Sequence, residues 1–148
     1  MADIWRFGPV SETDFEPLLA LRVDVMREHL ERVFRYKASR ARRVFREQFD
    51  ESGLRLILID EERAGCVGFR VGEAEIKIDS FYLDRRYHNR GLGTTFLKAL
   101  LDEADSLGFP VRLEVLRGSP ADRFYLRQGF AKIGEDDIEA TYERLVRK

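Results

Sequence analysis

Between Leu54 and Leu83 the chain leaves room only for strands and short turns. Leu54–Ile59 is an apolar run broken by Arg55, Gly65–Val71 is a second such run, and Glu75–Leu83 alternates charged with apolar residues. Asp60–Ala64 and Gly72-Glu73 join them, and turn residues at both joins predict three successive strands. Trp5–Val10 reads as a strand before this block, and Val111–Leu116, Phe130–Ile133 and Thr141–Val146 as strands after it. Helical spacing fills the rest. Thr13 or Asp14 caps a helix with Phe15, Leu18, Leu19, Met26, Leu30 and Val33 on its apolar face, and Pro17 sits in the first turn, where a missing N–H costs least. Ser39–Phe49 predicts a second helix turning Val44, Phe45 and Phe49 inward, closed by Ser52-Gly53. Gly91–Leu107 predicts a longer one with Leu92, Phe96, Leu100, Ala104 and Leu107 inward, ended by Gly108 and Pro110. Pro120–Gln128 is a short helix stopped by Gly129. The order β-α-α-β-β-β-α-β-α-β-β describes an α+β fold, helices around one mixed sheet, in a single domain spanning 1–148.

A domain of 148 residues buries about two-thirds of its unfolded surface and needs no disulfide or metal to hold a core. At 44% hydrophobic the chain is too apolar to be disordered. Lys+Arg at 26 against Asp+Glu at 27 gives a net charge of −1, which argues against a nucleic-acid or membrane partner. No apolar run approaches the ~20 residues of a membrane span. The opening Met1-Ala2-Asp3-Ile4-Trp5-Arg6 has no signal-peptide pattern, so a soluble, cytoplasmic protein is expected. Cys66 is alone and the two histidines are far from it in sequence, so no disulfide and no metal site is expected.

The segment that carries chemistry is His88-Asn89-Arg90-Gly91-Leu92-Gly93-Thr94, lying between a predicted strand and a predicted helix. Two glycines one residue apart let backbone approach a ligand, and the helix start offers unpaired N–H groups at a positive dipole end. Phe96 stands where a dinucleotide fingerprint needs its third Gly or Ala, and the Gly-Lys-Ser/Thr of a P-loop is missing. On this pattern alone, a phosphate site and a ligand-free strand-to-helix turn are equally supported.

A strand ending Asp79-Ser80-Phe81-Tyr82-Leu83, followed by Tyr87 to Thr94, resembles the acetyl-CoA signature of the GNAT (Gcn5-related N-acetyltransferase) family, Gln/Arg-x-x-Gly-x-Gly/Ala. About thirty residues on, the stretch from Glu114 through Ser119-Pro120-Ala121 to Phe124-Tyr125 and Gly129-Phe130 is similar to that family's second signature. The resemblance covers the whole chain, with two departures: His88 stands where Gln or Arg is usual, and Ser119 where Asn is common. It implies the GNAT acyl-CoA N-acyltransferase fold, a mostly antiparallel mixed sheet flanked by about four helices, with splayed central strands holding CoA. It also implies an enzyme moving an acetyl group from acetyl-CoA directly to a primary amine, without a metal. Backbone of Phe81, Tyr82 and Leu83 would pair with the pantetheine arm, and one of these N–H groups would polarise the thioester carbonyl. His88, Asn89, Arg90, Gly91, Leu92, Gly93 and Thr94 would surround the pyrophosphate, and Ser119 would border the cofactor. Arg85, Arg86 and Arg90 either offer charge to the phosphates or form a solvated face.

By the same resemblance Tyr125 donates a proton to the departing thiolate; otherwise it is a packed aromatic on a short helix. The family often takes a base from the strand Glu75–Leu83, which makes Asp79 the first candidate and Glu75 the second, against a cross-strand salt bridge. Strict alternation puts Glu75, Lys77, Asp79 and Phe81 on one face and Ile76, Ile78, Ser80 and Tyr82 on the other. Cys66 reads as a small buried residue and His29 as either lining the acceptor side or covering the core edge.

From Arg32 to Arg46 the chain holds Arg32, Arg35, Lys37, Arg40, Arg42, Arg43 and Arg46 and no acid. Either these pair with acids such as Glu28, Glu31 and Glu47 as a solvated face, or they receive an anionic acceptor through Arg35 and Arg40. The expected partner is thus a small-molecule or peptide amine, and the chain a monomer or homodimer. A catalytically inactive, CoA-binding relative is the alternative.

Overall fold

A computed structural model describes residues 4–33 and 37–148; Arg35 and the side chains of His29, Leu30, Arg32 and Val33 lie outside the described residues. Among the described residues seven strands form one sheet: β1 (Trp5–Pro9), β2 (Leu54–Ile59), β3 (Glu62–Val71), β4 (Ile76–Leu83), β5 (Val111–Leu116), β6 (Ala131–Glu135) and β7 (Glu139–Arg144). Four helices accompany them: α1 (Phe15–Val33), α2 (Ala38–Asp50), α3 (Leu92–Leu107) and α4 (Ala121–Arg127). The strand order is β1-β2-β3-β4-β5-β7-β6, and among the described residues only β4 and β5 pair in parallel. Among the described residues no helix is long and apolar enough to cross a membrane.

The two faces of the sheet have separate cores. Ile57, Val67, Phe69, Ile76, Ile78, Val111 and Leu113 pack with the inner face of α3, where Phe96, Leu97, Leu100 and Ala104 are fully buried. Leu97 and Leu101 complete that face, whereas Leu107, in the last turn, is 49% exposed. On the other side Leu54, Leu56, Cys66 and Tyr82 pack with Phe15, Leu18, Phe45 and Phe49 of α1 and α2. Phe15 stacks on Phe45 and meets Phe49 edge-on. The start of α1 is fixed by a reciprocal cap: Ser11 N–H donates to Asp14 at 2.8 Å, and Arg63 Nη2 donates to the other oxygen at 2.7 Å.

Two local details differ from the periodic expectation. The β2–β3 turn is only Asp60-Glu61, both with positive φ (52° and 65°), so β3 begins at Glu62 rather than Gly65. More consequentially, β4 bulges. Cys66 faces Tyr82 and Gly68 faces Asp79, so Ser80 and Phe81 together oppose Val67, with Ser80 at φ 48°. The extra residue reverses the phase of alternation. Ile76 and Ile78 belong to the α3 core, which Phe81 and Leu83 also join, while Tyr82 turns to the α1–α2 side. The predicted grouping of Tyr82 with Ile76 and Ile78, and of Phe81 with Asp79, is therefore corrected.

Candidate active site

The parallel pair β4–β5 is joined at only two positions, Ile76↔Val111 and Lys77↔Arg112. Beyond Lys77 the strands part, leaving the β5-facing edge of β4 without a strand partner through the bulge to Leu83. An unpaired edge of this kind can accept one more extended chain. At the mouth of the wedge, β4 passes through a 3-10 turn (Arg85–Tyr87), capped by Asp84, into the glycine loop. Asn89 and Gly91 are left-handed (φ 60° and 72°), which turns the chain abruptly into α3. The first intrahelical bond runs from Thr95 N–H to Gly91 O at 3.2 Å. The N–H groups of Leu92, Gly93 and Thr94 therefore have no intrahelical acceptor, and no acidic side chain lies in this first turn. A Cβ at Gly93 would meet only Phe124 Cζ, at 3.9 Å. The protein itself does not need a glycine there for space, and the opening suits close approach by an anionic group.

His88 turns back, its Nε2 2.6 Å from Leu83 O, rather than toward the helix start. Arg90 lies over the Tyr87 ring at 5.6 Å, and Arg86 over the same ring at 4.9 Å. Arg85 is engaged by α1, pairing with Asp24 at 2.8 Å. Ser119 Oγ accepts a hydrogen bond from Ala121 N–H at 3.2 Å, bracing the turn that leads into α4. Phe81 and Leu83 are half-buried on the α3 side, and Tyr82 is buried on the other.

Tyr125 sits on α4, its ring held edge-on by Phe124 (5.1 Å) and Phe130 (5.6 Å). Burial pushes its hydroxyl up to about 12, and Tyr82 is near enough to add to the shift, so it is a neutral phenol at physiological pH. Asp79 has both oxygens on Arg70, at 3.0 Å from Nη2 and 3.2 Å from Nε. Arg70 also donates to Gln48 O, Glu51 O and Ser52 O at the end of α2, so the pair fastens the bulged strand to that helix. Glu75 pairs with Arg112 at 2.9 Å, at the closed end of the wedge. Cys66 donates to Ser80 O at 3.3 Å, and burial pushes its thiol up to about 12, the behaviour of an inert buried thiol.

Two arrangements escaped the sequence reading. Arg22, buried on the sheet-facing side of α1, donates from Nε to the Tyr82 hydroxyl at 3.3 Å, and its Nη1 is buried without a partner. An arginine four residues after Leu18, in phase with the apolar stripe, was its only signal. Glu114 on β5 and Glu139 on β7 share the α1–α2 side of the sheet. Desolvation and a hydrogen bond with Glu114 push Glu139 up to about 7. Lys77 reaches Glu114 from β4 at 3.8 Å. Their pairing needs β7 to lie between β5 and β6, which no local pattern announces.

Within the basic stretch Arg42 and Arg46 are ion-paired, with different acids from those expected. Arg42 pairs with Glu16, and Arg46 with both oxygens of Glu12 (2.6 Å each) and with Asp50 (2.7 Å) while lying over Phe15. The paired acids lie at the start of α1 and the end of α2, not at Glu28, Glu31 or Glu47.

Comparison with known proteins agrees with this geometry. The model of the acetyltransferase (GNAT) family matches residues 23–130. No curated protein matches the sequence. Among solved structures, the PaiA N-acetyltransferase of Thermoplasma acidophilum, in complex with coenzyme A, superposes with a TM-score of 0.76 over 96% of this chain and 99% of that one, at 16% identity. Ard1 of Thermoplasma volcanium gives 0.72 over 97% and 99%, at 19% identity. The ribosomal-protein-S18-alanine N-acetyltransferase of Escherichia coli gives 0.69 over 98% and 96%, at 17% identity. At such identities the likeness shows the fold, which is that of the GNAT acyltransferases.

Proposed function

Because the chain belongs to the acetyltransferase (GNAT) family, we propose that it moves an acetyl group from acetyl-CoA to a primary amine in the β4–β5 wedge. The observation that carries the reading is the parting of β4 and β5 after two ladder positions, with the donor-rich start of α3 following the end of β4. Acetyl-CoA supplies the activated acyl group. The amides of Leu92, Gly93 and Thr94 hold its pyrophosphate, and the free edge of β4 takes the pantetheine arm as an added strand. A backbone N–H in the bulged segment Phe81–Leu83 polarises the thioester carbonyl. The neutral Tyr125 hydroxyl donates a hydrogen bond to the departing sulfur. Asp79, held on both oxygens by Arg70, keeps the bulge in place, and the Glu114–Glu139 pair is the better proton acceptor for the incoming ammonium.

The test is thioester consumption against a panel of amines, beside calorimetric CoA binding. Turnover on any primary amine supports the reading. CoA binding without turnover on amino acids, polyamines and peptide N-termini assigns the chain to the inactive, CoA-binding alternative instead.

A further inference from the structure

A second concentration of positive charge lies away from the glycine loop. A cavity of about 300 Å³ opens between α3, the end of α4 and the end of β7, with Lys98, Asp102, Arg127, Gln128, Arg144 and Arg147 in its wall. Four of these side chains are cationic and one is acidic. Arg144 is only 6% exposed; its two Nη atoms are held by Asp105 (2.9 and 3.1 Å), and its Nε is buried without a hydrogen-bond partner. Among the described residues no carboxylate is ion-paired with Lys98 or Arg127. Arg147 is brought in by two contacts. Its backbone N–H donates to Asp105 at 3.0 Å, and its guanidinium occupies the space a Cβ would fill at Gly129, which is left-handed at φ 92°. Lys98, Arg127 and Arg147 thus converge on one cavity beside an Arg144 whose Nε has no hydrogen-bond partner, an arrangement that an incoming acceptor group would stabilise.

We propose that this cavity binds a phosphate-class anion. Arginine forks and a lysine, approaching from two helices and a strand, match an oxyanion with several acceptor oxygens. Lys98 stands six residues beyond Leu92, roughly 9 Å along α3 at 1.5 Å per residue. Two sources fit that spacing. One is the ribose 3′-phosphate of the CoA whose pyrophosphate sits at the helix start, a source that rests on the function proposed above. The other is a separate phosphate-bearing molecule.

The experiment compares wild type with Lys98→Ala/Arg127→Ala and with Arg147→Ala. Calorimetry measures CoA and dephospho-CoA, which lacks the 3′-phosphate, and phosphorus NMR measures inorganic phosphate, all at fixed ionic strength. Lys98 and Arg127 are exposed surface residues, so circular dichroism should show both variants folded. A loss of about tenfold or more in CoA affinity, with dephospho-CoA unaffected, assigns the cavity to the 3′-phosphate. Phosphate binding lost in the variants, with CoA unaffected, assigns it to a separate anion. Equal binding of all three probes by wild type and variants, or no phosphate binding beside equal coenzyme binding, overturns the proposal. Wild type that binds no CoA overturns the acetyltransferase reading, while the phosphate measurement still decides the cavity.

Discussion

Arg70 holds both carboxylate oxygens of Asp79, and Gly68 lies directly against the pair: a Cβ there would collide with Asp79 Oδ1 and come within 2.8 Å of Arg70 Nε. The contact ties β3, the bulge of β4 and the end of α2 at one point. Asp79→Asn leaves a buried guanidinium with its three carbonyls but without its counter-charge. A loss of about 2–3 kcal/mol is expected in denaturant unfolding, with turnover of the folded protein changed by less than about tenfold. Intact stability with a turnover loss beyond about 10² would make Asp79 the proton acceptor instead.

At Gly93 the expectation is the reverse, a binding defect on an intact fold. A side chain there meets only Phe124 at van der Waals distance, yet it stands where phosphate oxygens must reach the first-turn amides. Gly93→Val should lower CoA affinity by about tenfold or more while unfolding like wild type. Unchanged affinity by calorimetry would remove the pyrophosphate from this loop.

Tyr125→Phe keeps the edge-on contacts with Phe124 and Phe130 and deletes only the hydroxyl. Because burial makes this phenol a weak acid, its contribution belongs near the low end of the ~10²–10⁴ range for acid–base catalysis. Expected is a fall of about 10² in kcat with CoA affinity intact. Stability and activity lost in parallel would mark the ring as packing alone.

The Glu114–Glu139 pair links activity and stability to pH in opposite directions. Glu139 is raised in the folded state to about 7, so the shared proton is favoured by folding. Stability from this group is complete below the ordinary glutamate pKa and is lost as pH rises through about 7. The proton acceptor is formed over that same interval, so kcat/KM should climb as stability declines. Lys77 opposes the shift from β4 and Asp136 adds to it from the β6–β7 turn. Glu139→Gln should flatten both profiles around neutral pH, by rate measurements and by unfolding midpoints at pH 5 and 8. A wild-type rate profile with no inflection near neutrality would exclude the pair as base.

Much of this protein is local and was therefore legible in its sequence. The strand run from Leu54 to Leu83, the helix start at Gly91, the stop at Gly108 and the order of all eleven elements follow from periodicity and from residues that tolerate left-handed backbone. The glycine loop was legible for the same reason: its chemistry is backbone chemistry, set by neighbours in sequence. What the tertiary structure decided is everything that needs a partner from elsewhere. One extra residue at Ser80-Phe81 turns Tyr82 toward α1, because strand phase depends on the ladder with β3 and not on β4 alone. Asp79 finds Arg70, Glu114 finds Glu139 and Arg144 finds Asp105 only after strands 9 to 39 residues apart, or a strand and a helix, are laid side by side. Charge in sequence says that a residue must be solvated or paired; which of the two it is depends on the low-dielectric contacts that packing creates.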